Sequence, residues 1–295
     1  MTIRTSDEAK TRTVEATNRR QSHDKLLKFL KDLRGYLARA NDEESRKTWQ
    51  TQIDSLESWL GSEEYKRGDY PQGIDELVLE LIEWRAMQHA FQHIETKRQP
   101  FIEHVFYKQW LIGSTYAVFS LLGKLTGKAP QENSLRKLWW EVGKFVSRDD
   151  ACPKEELKHI SEQLHKATGK FTDENSRAIL FRNTVIAHNQ KSVLLAWDEI
   201  DKDIRILIRI WAILVSWSSF GILAPFRTAE QAFAGLEQLF EETELAALKA
   251  KRQEYIDLAI DWARTHLHTG KRDYRRSAFS TITVTSNILR SPADG

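Results

Sequence analysis

The chain has 295 residues, about two domains' worth at roughly 150 residues each. Its 41% hydrophobic and 29% charged residues, with ten tryptophans and 13 phenylalanines, exclude a disordered or low-complexity chain, and only 13 glycines and six prolines argue against an all-β protein. The net charge of +2 gives no overall field for nucleic acid or membrane, and the single cysteine excludes an internal disulfide and thiolate zinc or iron–sulfur sites.

Residues 1–22 are polar and unpatterned and read as a loose start with no apolar core of a secretory signal. From Lys25, apolar residues at Leu26, Phe29, Leu30, Leu33 and Leu37 follow the three-and-four spacing of an amphipathic helix. Trp49, Ile53, Leu56 and Leu60 repeat it, so 24–60 predicts a helical hairpin, with a turn-rich linker at 62–73. A helix starts near Ile74, and Pro100 interrupts or restarts it. The apolar stretch 101–125 predicts a second. After a polar connector at 127–134, Ser134 fits an N-cap for a short helix carrying Leu135, Leu138, Trp139, Val142 and Phe145. Further helices are predicted over 155–166, from a cap at Thr172 or Asp173 to about Ala187, over 192–223, and as a pair within 228–267. The tail 271–295 holds the one β-leaning run, SAFSTITVTSNI.

The expected architecture is all-α, divided into an N-terminal hairpin with a loose start (1–70), a helical bundle (71–227) and C-terminal helices with a tail (228–295). The stretch 206–226 approaches the roughly 20 residues that span a bilayer, but Arg209 and three serines lie inside it and a buried core helix accounts for it equally well. The expected location is cytoplasmic, in keeping with the lone cysteine.

Phosphate-binding loops, dinucleotide fingerprints, nucleophile elbows and zinc-protease motifs are all missing. His89 and His93 stand four apart on a helix, a spacing that can bind metal, with Glu103 and His104 as the nearby further ligands. His266 and His268 form a second pair, and Cys152 stands before Pro153 with no partner motif. None of these makes a site by itself, and no cofactor or metal is expected.

The informative segment is FRNTVIAHNQ, 181–190, which sets Arg182-Asn183 ahead of His188. One reading is a helix burying Phe181, Val185 and Ile186, with Arg182 in water and His188 favoured by the helix C-terminal dipole. Six residues of helix rise about 9 Å and turn roughly 240°, so Arg182 and His188 cannot share a face. They converge only if the helix ends near Ala187, or if a second copy of the chain supplies the partner.

Arg182-Asn183 followed by Ala187-His188 resembles the R-x(4–6)-H signature of HEPN domains. The apolar helix at 107–125, the Ser134-Leu135-Arg136-Lys137-Leu138 segment and the RNTVIAHN element before a long apolar helix are similar to the AbiU-type branch, associated with phage abortive infection. The similarity spans about 75–225.

The resemblance implies a HEPN-like helical bundle that dimerises and brings two motifs into one cleft. It implies a metal-independent endoribonuclease acting as a toxin or defence effector, with RNA as substrate and an antitoxin or defence-system protein as partner. Arg182 and His188 would be catalytic, and Asn183 would bind the phosphate or orient His188. Gln190 stands where toxins modified by minimal nucleotidyltransferases carry a tyrosine, so the chain departs from that pattern. Lys97-Arg98 and Arg275-Arg276 are local basic pairs that can meet phosphate. The competing functions are a non-catalytic helical scaffolding module of the same fold and a membrane-associated effector using 206–226. The apolar surfaces of 101–125 and 192–223 are the expected homodimer interface.

Overall fold

The computed structural model describes residues 3–17, 23–68, 72–94, 105–129, 131–186, 195–219 and 226–273. Its helices are α1 (Ser6–Thr17), α2 (His23–Arg39), α3 (Glu43–Gly61), α4 (Glu63–Arg67), α5 (Ile74–Gln92), α6 (Val105–Thr126), α7 (Leu135–Arg148), α8 (Lys154–Gln163), α9 (Arg177–Phe181), α10 (Trp197–Ser218), α11 (Ala229–Phe233) and α12 (Glu242–Ala263). A π-helical turn, Arg182–Ile186, continues α9. Among the described residues there is no strand, and the one β-type pairing is an isolated bridge between Thr265 and Arg272. The all-α class is therefore observed. The β-leaning run at 277–288 lies outside the described residues.

α10 is the axis of the main core. From Leu207 to Ser218 every residue is buried, Arg209 included, because neighbours surround it on all sides. Around it pack Leu81 and Ile82 of α5, Phe119 and Leu122 of α6, and Leu138, Trp139 and Val142 of α7. Trp211 of α10 donates its indole N–H to Asp75 of α5 at 2.7 Å, so its one polar atom is satisfied inside the core. No helix among the described residues is long and apolar enough to cross a membrane. Over Leu207–Ser218 the apolar surface of α10 is taken up by this core.

The loose start also needs correction. α1 is a helix packed on the bundle, with Ala9 and Ala16 fully buried in the main core. Small residues let it approach closely, and Thr13 and Thr17 bury their hydroxyls by donating to the carbonyls of Ala9 and Thr13 at 2.8 and 2.9 Å. Arg12 pairs with Glu141 of α7 at 2.9 Å. Alanine and threonine carry little hydropathy, which is why the pattern is faint in the sequence.

The hairpin α2–α3 has its own small core of Leu26, Leu30 and Leu33 against Ile53 and Leu56. At the other end, Phe233, Phe240, Leu245 and Leu248 close over Ala90 of α5, while Ala259 and Ala263 of α12 join the main core.

Candidate functional site

The segment 164–186 is built outward from one buried arginine. Arg136 of α7 is fully buried and donates to the carbonyls of Leu164, Phe171 and His165 at 3.0, 2.9 and 2.6 Å. The loop's carbonyls are thereby tied to the bundle, that of His165 accepting from Gly169 N–H as well at 3.1 Å. Its backbone also folds on itself, with Lys170 N–H donating to Gln163 at 2.8 Å. A side chain at Gly169 would meet the His165 carbonyl at 2.5 Å, so the tight path needs glycine.

This loop ends on Ser176, the N-cap of α9, whose hydroxyl accepts from Ile179 N–H at 3.1 Å. The same hydroxyl donates to Asp203 of α10 at 2.5 Å. Burial pushes the Asp203 carboxyl above the usual range, against the pull of Ser176 and of Lys170, whose ammonium lies 3.3 Å away. The helix expected from a Thr172 or Asp173 cap thus starts later, at Arg177. It also does not continue as an α-helix, because the ladder widens to a π turn over Arg182–Ile186. π turns of this kind recur at functional sites. Phe181 anchors α9 by packing on Phe119 of α6 with ring centroids 4.9 Å apart.

Arg182 is exposed at the start of the π turn. Its Nη1 donates to Asn183 Oδ1 at 2.8 Å, and Asn183 Nδ2 donates to Asp173 at 2.7 Å. The Asn183 amide is therefore engaged with Arg182, and Asp173 serves Asn183 instead of capping a helix. Across from it, a methyl placed on Gly123 of α6 would come within 2.9 Å of Arg182 Nε and 3.1 Å of Cζ. His188, with Ala187 and Gln190, lies outside the described residues. Of the expected catalytic set, Arg182 and Asn183 are found together.

The outward face of α6 leads to this point. Val105, Ile112 and Tyr116 are 66%, 58% and 48% exposed, at helical spacing, and Gly123 follows two turns beyond Tyr116. These are large apolar side chains on one stripe.

The other candidates resolve as structural. His89 and His93 have ring centroids 4.2 Å apart, and His93 Nδ1 sits 2.9 Å from the His89 carbonyl. Burial, with His93 and Arg85 adding, holds His89 below the usual histidine range. Glu103 and His104 lie outside the described residues, and no group of three or more potential ligands able to hold a metal occurs among the described ones. His266 accepts from buried Arg209 at 3.1 Å, and the His268 backbone N–H donates to Glu156 at 3.0 Å. Both belong to a clasp in which Arg209 also grips Asp273 at 2.6 Å and Glu156 at 3.2 Å. Cys152 is buried, and burial pushes its thiol up to about 12, which makes it a poor nucleophile. The basic pairs 97–98 and 275–276 lie outside the described residues.

The buried charges Arg136 and Arg209, and the Asp173 partner of Asn183, carry no local sequence signal, since each gains its meaning from residues at least ten positions away. No protein-family model, no curated protein and no solved structure matches this chain.

Proposed function

We propose that this chain is a HEPN-type endoribonuclease acting as a toxin or anti-phage effector, working as a symmetric homodimer that places two copies of the 182–188 motif in one cleft. The observation that carries the reading is the presentation of Arg182: an exposed guanidinium held by Asn183 on a π turn, at the end of the apolar stripe of α6. A solvated-face arginine would have no need of a two-residue brace or of a glycine beneath it.

The chemistry suits these residue types. RNA supplies its own nucleophile, the 2′-OH, so no metal-bound water is required. Histidine is the side chain suited to moving a proton near neutral pH, and His188 takes the 2′-OH proton as the new P–O2′ bond forms. A second histidine, from the other copy, gives a proton to O5′ as the P–O5′ bond breaks. The products are a 2′,3′-cyclic phosphate and a 5′-hydroxyl end. Arg182 stays charged throughout and stabilises the phosphorane oxygens. An exposed stripe of large apolar side chains on α6 is the surface for the second copy.

Purified protein incubated with labelled RNA in EDTA, followed by end-group analysis, tests the reading. Cyclic phosphate and 5′-hydroxyl ends are expected. Cleavage that appears only with added magnesium or manganese overturns the mechanism.

A further inference from the structure

Arg182 has three faces to its chemistry, and one is committed. Nη1 donates to Asn183, whose amide is itself oriented by Asp173. An amide can turn over and swap its donor for its acceptor. A carboxylate can only accept, so Asp173 forces the Nδ2 end toward itself and the Oδ1 end toward Arg182.

The opposite edge of the guanidinium is the Nε–Nη2 pair. Among the described residues no acceptor takes either nitrogen. The side chain that Gly123 lacks would stand over the face of the guanidinium, meeting Nε at 2.9 Å, Cζ at 3.1 Å and Nη2 at 3.3 Å, so its absence leaves the group room to lie where Asn183 holds it. The same edge of Arg85, elsewhere in the chain, grips both oxygens of the Asp201 carboxylate at 2.9 and 2.8 Å. That is the two-donor geometry that also matches two oxygens of a phosphate.

We propose that Asp173 and Gly123 are positioning residues for an anion site on Arg182: Asp173, through Asn183, fixes Nη1, and Gly123 leaves the guanidinium the room it needs to lie there and offer its Nε–Nη2 edge to two oxygens of an RNA phosphodiester. The proposal rests on the ribonuclease reading. Asn183 then acts on the arginine instead of touching phosphate itself. Asp173 has a role that needs an acceptor atom and not a charge.

Three variants separate these roles. Asp173 is exposed, so Asp173→Ala leaves the fold intact, which circular dichroism checks. Asp173→Asn keeps a carbonyl oxygen that can accept from Asn183. Gly123→Ala improves helix propensity, so any loss it causes comes from displacing the Arg182 guanidinium. The first readout is the Arg182 Nε–Hε resonance, titrated with a 2′-O-methyl oligoribonucleotide that this mechanism cannot cut. The second is the split of kcat and KM for RNA cleavage.

In Asp173→Ala the resonance is expected to move to the position of free arginine and kcat to fall about tenfold or more, the cost of a misplaced group. Asp173→Asn, whose oxygen can accept but whose amide can also turn over, is expected to restore both in part. Gly123→Ala is expected to abolish the shift that the oligonucleotide causes in the wild type. An Asp173→Ala protein with the wild-type resonance and rate overturns the proposal while leaving the ribonuclease reading intact. Equal impairment in Asp173→Asn and Asp173→Ala overturns the acceptor role. A wild-type resonance that the oligonucleotide does not shift overturns the anion site. Wild-type protein that cuts no RNA removes the ribonuclease reading, and the resonance of Asp173→Ala still decides whether Asp173 holds Arg182.

Discussion

Asp203 of α10 and Ser176, the N-cap of α9, share a buried hydrogen bond of 2.5 Å that ties the element carrying Arg182 to the central helix of the core. One hydroxyl performs two tasks, accepting from Ile179 N–H and donating to the carboxylate. Ser176→Ala removes both. Loss of the cap costs about 1 kcal/mol. Leaving the buried Asp203 carboxylate short of a donor adds about 1–2 kcal/mol. Urea denaturation is expected to show a combined loss of about 2–3 kcal/mol, with cleavage reduced at temperatures where the protein is still folded. A variant as stable as the wild type would show that the bond does not hold α9.

Arg136 holds the preceding loop by three backbone carbonyls while its guanidinium lies 5.1 Å from the centre of the Trp140 ring. Arg136→Met preserves much of the volume but takes the donor from the Leu164 and Phe171 carbonyls, and leaves His165 with Gly169 N–H alone. A destabilisation of about 3 kcal/mol is expected. Faster amide exchange at Lys170 and Ser176, whose N–H groups bond within the loop, is the local signature. Global destabilisation with unchanged exchange at these amides would place the role of Arg136 elsewhere.

These two relationships show what could be read from the sequence and what could not. The helices α5, α6, α7, α8 and α10 follow from apolar spacing, and Ser134 caps α7 by accepting from Lys137 N–H at 3.1 Å, as its position before the apolar run suggests. Periodicity reports which face is buried. It does not report small-residue packing, which hid α1, or a widened helical ladder, which replaced the expected α-helix after Phe181. Arg182 and Asn183 stand out by adjacency. Asp173 and Gly123 join them only through the fold, Asp173 from a loop ten positions before Asn183 and Gly123 from α6, with α7, α8 and α9 in between.

His89 provides a pH signature. Burial keeps it below the usual histidine range, and His93 and Arg85 push in the same direction, while Glu254 and Asp201 oppose them. Its Nε2 is buried, and its ring lies 5.4 Å from that of Tyr255. A histidine with a depressed folded-state pKa is neutral in the fold, while the unfolded chain takes up the proton first. Stability is therefore full above about pH 6.5 and falls as the pH drops from there toward the folded-state value. His89→Phe keeps a ring beside Tyr255 and cannot protonate. Between about pH 7.5 and pH 5 it is expected to lose less stability than the wild type in denaturant titrations. Parallel losses in the two proteins would refute the assignment.

In the proposed homodimer the α6 stripe is the surface between the two copies. Ile112 and Tyr116 are exposed and lie outside the core, so Ile112→Asp with Tyr116→Asp leaves the core untouched. Light scattering is expected to give twice the mass of one chain for the wild type and the mass of one chain for the double variant, with identical circular dichroism. If cleavage needs motifs from two copies, the monomeric variant loses it. A wild type that is monomeric at micromolar concentration counts against the composite site, and a variant that stays dimeric moves the interface off α6.

If the 2′-OH is the nucleophile, cleavage survives EDTA, DNA is not cut, and a 2′-O-methyl group protects the linkage it precedes. Arg182→Lys retains a positive charge but loses the planar two-donor edge. Its activity is expected to fall about a hundredfold or more, close to that of Arg182→Ala. His188→Ala removes proton transfer and is expected to stop cleavage and to relieve growth arrest on overexpression. With one histidine as base and its symmetry mate as acid, the rate follows a bell in pH, and both limbs belong to the coupled pair and not to either residue. A single rising limb in pH, unchanged when the monomeric α6 variant is assayed, would mean that one copy of the motif suffices. A lysine variant as active as the wild type would mean that Arg182 acts as a point charge, and the two-oxygen contact on its Nε–Nη2 edge would have to be abandoned.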